Sequence, residues 1–210
     1  MLLWNIEGIT NMMSLLPQDT LQDYDLVILT ETMLTKEWSK EMFYCVHNFA
    51  TKGATGRPRG GITCLLKPIF SPFKVDYKSD TTLLVKTTHC SILAAYFQPY
   101  LTEVDIIDEL NLVISKLPKT EPLILAGGFN CRVDSPISKA IKVLDYLEGE
   151  GLMIINRKKT KTYIGHNGSS TIDLIFINDG LKQVSQNVLT SITARKHLPV
   201  QTMLRIKRTC

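Results

Sequence analysis

Seven short segments rich in Val, Ile, Leu and Thr recur along the chain: Leu26–Leu29, Ile62–Leu66, Leu83–Lys86, Ser91–Phe97, Leu123–Ala126, Thr171–Ile177 and Val184–Thr190. They are strand-length and too short for buried helices. Two amphipathic helices stand between them. One starts after Thr102, carries Glu103, Asp105, Asp108 and Glu109 where they suit the helix dipole, and puts Ile106, Leu110, Val113, Ile114 and Leu117 on one face. The other takes Ser135 as cap and Pro136 as first helical residue, shows Ile137, Ile141, Leu144 and Leu147 at helical spacing, and stops near Gly149–Gly151. A weaker amphipathic stretch, Asn11–Gln22, predicts a third helix despite Pro17. Strands outnumber helices, and the helices come singly between groups of strands. That pattern predicts an α/β protein of two packed sheets with helices outside.

The chain of 210 residues fits a single domain over 1–210, with 44% hydrophobic and 21% charged residues, as in ordinary folded proteins. No apolar run approaches the length of a membrane-spanning helix. Cys45, Cys64, Cys90, Cys131 and Cys210 are odd in number and never spaced as CxxC, so neither a disulfide framework nor a structural zinc site is indicated. An intracellular location is expected, nuclear ahead of cytoplasmic. Met1 stands four residues before Asn5 and Cys210 closely follows the last strand-like stretch, so the chain could also be a segment of something longer.

Polar residues sit at the ends of the apolar segments, where chemistry is commonly mounted on open sheets. The strings are Leu3-Trp4-Asn5-Ile6-Glu7-Gly8, Ile28-Leu29-Thr30-Glu31-Thr32, Ala95-Tyr96-Phe97-Gln98-Pro99, Leu125-Ala126-Gly127-Gly128-Phe129-Asn130, Ser170-Thr171-Ile172-Asp173 and Arg195-Lys196-His197-Leu198-Pro199. In this order, over essentially the whole chain, they resemble the endonuclease/exonuclease/phosphatase family, and within it the apurinic-type endonuclease domain of non-LTR (LINE-type) retrotransposons. The resemblance implies a four-layered α/β sandwich and magnesium-dependent phosphodiester hydrolysis. That reaction needs a cation on a phosphate oxygen, a group that orients water, and donors for developing negative charge. By the resemblance, Asn5 and Glu31, with Glu7 as a further ligand, would hold Mg²⁺. Tyr96 and Asn130 would contact the phosphate, and Asp173 would orient His197.

Two departures stand out. The family's Gly-Asp-Phe-Asn is Gly127-Gly128-Phe129-Asn130 here, and its Ser-Asp-His is Arg195-Lys196-His197. Losing a general base costs about two to four orders of magnitude in rate, and the Lys196 ammonium beside a metal site opposes the metal. Glu31 is expected to be an unpaired acidic charge, so that its removal would be neutral or mildly stabilising. His47, His89 and His166 have no matching context and are expected to be structural.

Residues 157–210 carry ten Lys or Arg against two acids, a net +8; the first 156 carry fourteen against eighteen, a net −4. Such asymmetry suits one rim facing a polyanion. Arg157, Lys158, Lys159, Lys161, Arg195 and Lys196 are the expected nucleic-acid contacts, beside a Tyr163–Ser170 loop that resembles a DNA-probing hairpin of LINE endonucleases. A basic loop containing Gly53, Arg57, Arg59, Gly60 and Gly61 precedes the Ile62 strand. The reading is a degenerate, non-catalytic nuclease fold that binds nucleic acid, DNA ahead of RNA, or a protein partner. Its alternatives are an active Mg²⁺ endonuclease in which Asp134 or Glu7 replaces the lost carboxylate, and a pure protein scaffold.

Overall fold

The computed structural model describes all residues except 14–18, 53–55, 135–137, 157–160, 167, 192–195 and 208–210. In chain order the strands are β1 (Leu2–Asn5), β2 (Leu26–Thr30), β3 (Tyr44–Asn48), β4 (Ile62–Leu66), β5 (Phe73–Lys78), β6 (Thr82–Thr87), β7 (Ser91–Tyr96), β8 (Leu123–Gly128), β9 (Met153–Ile154), β10 (Tyr163–Gly165), β11 (Gly168–Ser170), β12 (Asp173–Ile177), β13 (Leu181–Val188) and β14 (Val200–Ile206). The helices are α1 (Ile9–Met13), α2 (Glu103–Ile114) and α3 (Ser138–Gly149). One sheet has the order β13-β14-β1-β2-β4-β3 and the other β5-β6-β7-β8-β12-β9, while β10 and β11 form a separate hairpin. Each sheet contains one parallel pair, β1 with β2 and β7 with β8, and is otherwise antiparallel. A parallel pair needs a crossover, and α2 supplies the one between β7 and β8.

The period-2 alternation of the strands sorts their side chains into layers. In β2, Leu26 and Ile28 face the other sheet, whereas Val27 and Leu29 face outward onto Ile6, Ile9 and Met12. In β8, Ile124 and Ala126 face inward while Leu123 and Leu125 pack with α2 and α3. The result is the expected four-layered α/β sandwich, except that the layer over the first sheet is mostly irregular chain.

Several local expectations need correction. The Asn11–Gln22 helix ends in its described part at Met13, and Pro17 lies outside the described residues. Residues 19–23 are turn, because the backbone N–H of Gln22 donates to Asp19 O and its side chain to Asp19 Oδ1, bonds that compete with a helix. The last helix buries Ala140, Val143, Leu144 and Leu147, one stripe at helical spacing, and leaves Ile141 exposed. Its expected start, Ser135, Pro136 and Ile137, is outside the described residues. β13 ends at Val188 rather than Thr190. The α2 cap is reciprocal: Thr102 Oγ1 accepts from Asp105 N–H, and Asp105 Oδ2 accepts from Thr102 N–H.

Cys45, Cys64, Cys90 and Cys131 are free thiols, and Cys210 is outside the described residues. Burial pushes Cys64 up to about 12 and is the main cause raising Cys90 and Cys131 to about 11, values of unreactive core thiols. No helix among the described residues is long and apolar enough to cross a membrane.

Gly127 shows how tightly β7 and β8 approach: a Cβ there would lie 1.7 Å from the Ala95 carbonyl oxygen. Gly127→Ala is expected to cost about 3 kcal/mol or more in urea unfolding, or to prevent folding. Gly149, whose Cβ would meet nothing within 4 Å at the end of α3, should accept Ala with a gain of about 0.5–1 kcal/mol.

Candidate active site

The parallel pairs bring the carboxyl ends of β1, β2, β7 and β8 to one rim. β12 and β14 run antiparallel to their neighbours β8 and β1, so their amino ends arrive at the same place. Asn5, Glu31, Tyr96, Gly128, Asp173 and His197 therefore meet there, although they span most of the chain.

Glu31 is the hub. Its Oε1 accepts from Asn5 Nδ2 at 3.0 Å and from the Tyr96 hydroxyl at 2.5 Å, joining the two sheets through one carboxylate. The expectation of an unpaired Glu31 is thus overturned, because the two donors compensate its charge. Burial first, then the Glu31 charge, push the Tyr96 phenol far up, so Tyr96 keeps its proton and donates it in this bond. Asn130 donates from Nδ2 to Phe97 O at 2.8 Å, and its side chain also approaches the Tyr96 hydroxyl.

Glu7, Glu31 and Asn130 all adopt left-handed backbone conformations, with φ of 46°, 51° and 50°. For a glutamate this costs about 1 kcal/mol, and such strain persists only where the surroundings over-determine it. In each case the left-handed residue lies just past a strand end and turns the chain over the rim.

The second cluster is the Asp173–His197 pair. Asp173 Oδ2 accepts from His197 Nδ1 at 2.8 Å, and both residues are buried. Burial alone opposes the imidazolium; the charge and hydrogen bond of Asp173, helped by Glu31 and Glu7, outweigh it and raise the His197 pKa above its ordinary value. Tyr163 meets the imidazole edge-on, with ring centroids 4.9 Å apart, and Trp4 Nε1 donates to His197 O at 3.1 Å. Thr162, which the sequence reading did not single out, is a buried clamp. Its Oγ1 accepts from the backbone N–H of Ile172 and Asp173, and its carbonyl accepts from Leu198 N–H. A lone hydroxyl before a short strand carries no pattern that would have marked it.

Between the clusters lies Gly128. In register it pairs with Tyr96 on one side and Asp173 on the other, so the three form a row across β7, β8 and β12. A Cβ on Gly128 would lie 3.1 Å from Tyr96 Cδ2 and 3.5 Å from Asp173 Oδ1. That buried Asp173 Oδ1 has no hydrogen-bond partner among the described residues.

Of the two carboxylates offered as replacements, Asp134 is engaged by other partners, while the Glu7 charge contributes to raising His197. Asp134 pairs with Lys161 and accepts from Thr171 N–H at 3.3 Å; burial opposes its charge, but these donors keep its pKa low. Lys161, the expected phosphate contact, is thus placed beside Asp134 and remains partly exposed. Glu7 donates its backbone N–H to Asn5 Oδ1 at 3.3 Å. Lys196 is exposed and makes no ion pair among the described residues, while Arg157, Lys158, Lys159 and Arg195 lie outside them. His47 is structural as expected, bonded to Thr63 Oγ1 and Trp38 O.

A divalent cation requires several oxygen ligands converging on one point. No three Asp, Glu, His or Cys side chains converge in that way among the described residues. Glu31 Oε1 already receives two donors, and Asn5 turns an N–H rather than an oxygen toward it. Asn5 and Glu31, the pair that the resemblance implies for magnesium, are bonded to each other here through Asn5 Nδ2 and Glu31 Oε1.

The chain is a two-sheet α/β sandwich with its polar residues gathered on one rim. The chain belongs to the endonuclease/exonuclease/phosphatase family, through the endonuclease-reverse transcriptase model that matches residues 90–200. Among solved structures, it is similar to the endonuclease domain of TRAS1, a telomere-specific non-LTR retrotransposon, with 14% identity, a TM-score of 0.75, and coverage of 99% of this chain and 98% of that one. It is also similar to an AP endonuclease from Archaeoglobus fulgidus, with 12% identity, a TM-score of 0.78 and 98% coverage of both chains. A third similar structure is the 3′ phosphatase NExo from Neisseria bound to product DNA hairpin, with 13% identity, a TM-score of 0.72, and coverage of 97% and 98%. At these identities the likeness establishes the fold. No curated protein matches the sequence significantly.

Because the folded-state pKa of His197 lies above the unfolded value of about 6.5, its protonation stabilises the fold. That contribution is complete below the unfolded value and is lost as pH rises through the folded one. Relative to His197→Gln, the wild type should lose melting temperature from about pH 6 upward; parallel pH profiles for the two proteins would refute a protonated dyad. Glu31→Ala, which strands two buried donors, should cost about 1–3 kcal/mol, and an unchanged urea midpoint would show that the hub carries no stability.

Proposed function

We propose that this chain is a catalytically silent endonuclease-like domain, one unit over residues 1–210, that binds nucleic acid. The observation carrying this reading is the row Tyr96–Gly128–Asp173: the central position has no side chain, and neighbouring Asp134 is held by Lys161. Hydrolysis of a phosphodiester requires a group that orients water and compensation of the developing charge. Here Glu31 is engaged by Asn5 and Tyr96, and Asp173 Oδ2 by His197. These residues make a stable floor, and what remains is recognition. The family membership and the net charge of +8 on residues 157–210 support nucleic acid as the partner.

Supercoiled plasmid incubated with the wild type and Mg²⁺ or Mn²⁺ should show no nicking above a Glu31→Gln control. Gly128→Asp combined with Lys196→Asp should restore some metal-dependent nicking. Recovery should be partial, because the Tyr96 ring must yield to the new side chain and a displacement of about 1 Å costs roughly a hundredfold in rate. Nicking by the unmodified protein that Glu31→Gln abolishes would overturn the silent-nuclease reading. As an independent check, Mg²⁺ at about 10 mM should leave the melting temperature unchanged, since a ligand below its Kd adds under roughly 0.4 kcal/mol. A rise lost in Glu31→Gln would reveal a metal site.

A further inference from the structure

Beside the rim site lies an open groove of ≈ 510 Å³ whose lining includes Arg57, Arg59, Asp80, Gln98 and Tyr100. We propose that this groove binds an unpaired nucleotide of a single-stranded nucleic acid, its base on Tyr100 and its phosphates on Arg57 and Arg59. The proposal rests on the nucleic-acid reading above and adds to it the form of the ligand.

Tyr100 is 76% exposed, unusual for so large a ring, and its backbone lies in a hydrogen-bonded turn. It follows Pro99 in the turn closed by Leu101 N–H to Gln98 O at 3.1 Å, and the reciprocal cap at Thr102 comes directly after. The backbone that carries the ring is therefore already ordered before a base stacks on it. Both arginines are exposed and form no ion pair among the described residues. The position of Arg59 is set by a two-bond bridge, its backbone N–H and C=O each exchanging with Thr51 at 3.1 Å. Asp80 also has no ion-pair partner among the described residues. A groove meant for phosphate alone would not carry a carboxylate. Two cations, a carboxylate, an amide and an exposed ring together match a nucleotide, whose phosphate, exocyclic amino or hydroxyl groups and base face each find a counterpart.

The same composition separates single strands from duplex. Duplex bases are stacked on one another and unavailable to a phenol, so a duplex would offer the groove phosphates without the stacking contact on Tyr100. The groove also opens onto the rim. A Cβ on Gly60 would lie 3.5 Å from the Tyr96 ring and 3.7 Å from Gln98 Nε2, and one on Gly8 would lie 3.2 Å from Arg57 Nη2. A strand seated on Tyr100 would therefore pass Arg57 toward Glu7 and Glu31.

The test is fluorescence anisotropy with a labelled single-stranded oligodeoxynucleotide of about twelve residues and the same sequence closed into a hairpin duplex, at two salt concentrations. The wild type should bind the single strand more tightly. Tyr100→Ala should weaken single-strand binding about tenfold and leave duplex binding unchanged, with Tyr100→Phe restoring it. Arg57→Gln with Arg59→Gln should flatten the salt dependence by about one unit of slope or more. Equal affinity for the two forms, or single-strand binding indifferent to Tyr100→Ala, would overturn the groove while leaving nucleic-acid binding intact. Failure to bind either form at low salt would overturn the functional reading as well.

Discussion

Both central sheets are covered on both faces. β2 sends Leu26 and Ile28 one way and Val27 and Leu29 the other, all into apolar cores, and β8 does the same with Ile124, Ala126, Leu123 and Leu125. A polar side chain inside such a strand would have to be desolvated without partners, at a cost of a few kcal/mol. The strand ends are the remaining place for polar groups from distant parts of the chain to gather. One parallel pair per sheet then decides which end, since parallel neighbours must finish together. The concentration of Asn5, Glu31, Tyr96, Asp173 and His197 on one rim follows from burial and strand direction before any chemistry is considered.

The polar residues of that rim also serve the fold itself. Glu31 satisfies two buried donors and bridges the sheets, while Asp173 is held by Thr162 and His197. Removing either would leave buried polar atoms unpaired, so stability alone is sufficient reason to retain them. A carboxylate at position 128 would have no comparable structural role: it would crowd Tyr96 and stand close to Asp173 Oδ1, adding like-charge repulsion. The polar side chains on the rim are thus ones the fold uses, and position 128 is one where a side chain would meet crowding. The left-handed backbones of Glu7, Glu31 and Asn130 are carried along by the same packing.

Charge on this molecule acts by location more than by total. Lys161 counts toward the basic C-terminal quarter but is cancelled locally by Asp134. Arg57 and Arg59 belong to the part of the chain with net negative charge, yet they line the groove beside the rim without an ion pair among the described residues. Folding thus redistributes the available cations in a way that a running sum along the chain does not reveal.

The sequence by itself determined the sheets and their layers, because alternation in strands and a 3.6-residue stripe in α2 are local properties of Leu26–Thr30, Leu123–Gly128 or Ile106–Leu117. It also marked the site residues, since polar groups at strand ends stand out against apolar runs, and it exposed Gly128 as a departure. What it did not determine were interactions between residues far apart in the chain. The bond from Tyr96 to Glu31 spans 65 positions and that from Asn5 to Glu31 spans 26. The clamp at Thr162 and the capture of Asp134 by Lys161 likewise depend on which segments the topology brings together. So does the groove in which Tyr100 meets Arg57 and Arg59. Hydrophobic pattern is written residue by residue, whereas hydrogen bonds and ion pairs are directional and short-ranged, so their partners exist only once the tertiary structure has set the distances.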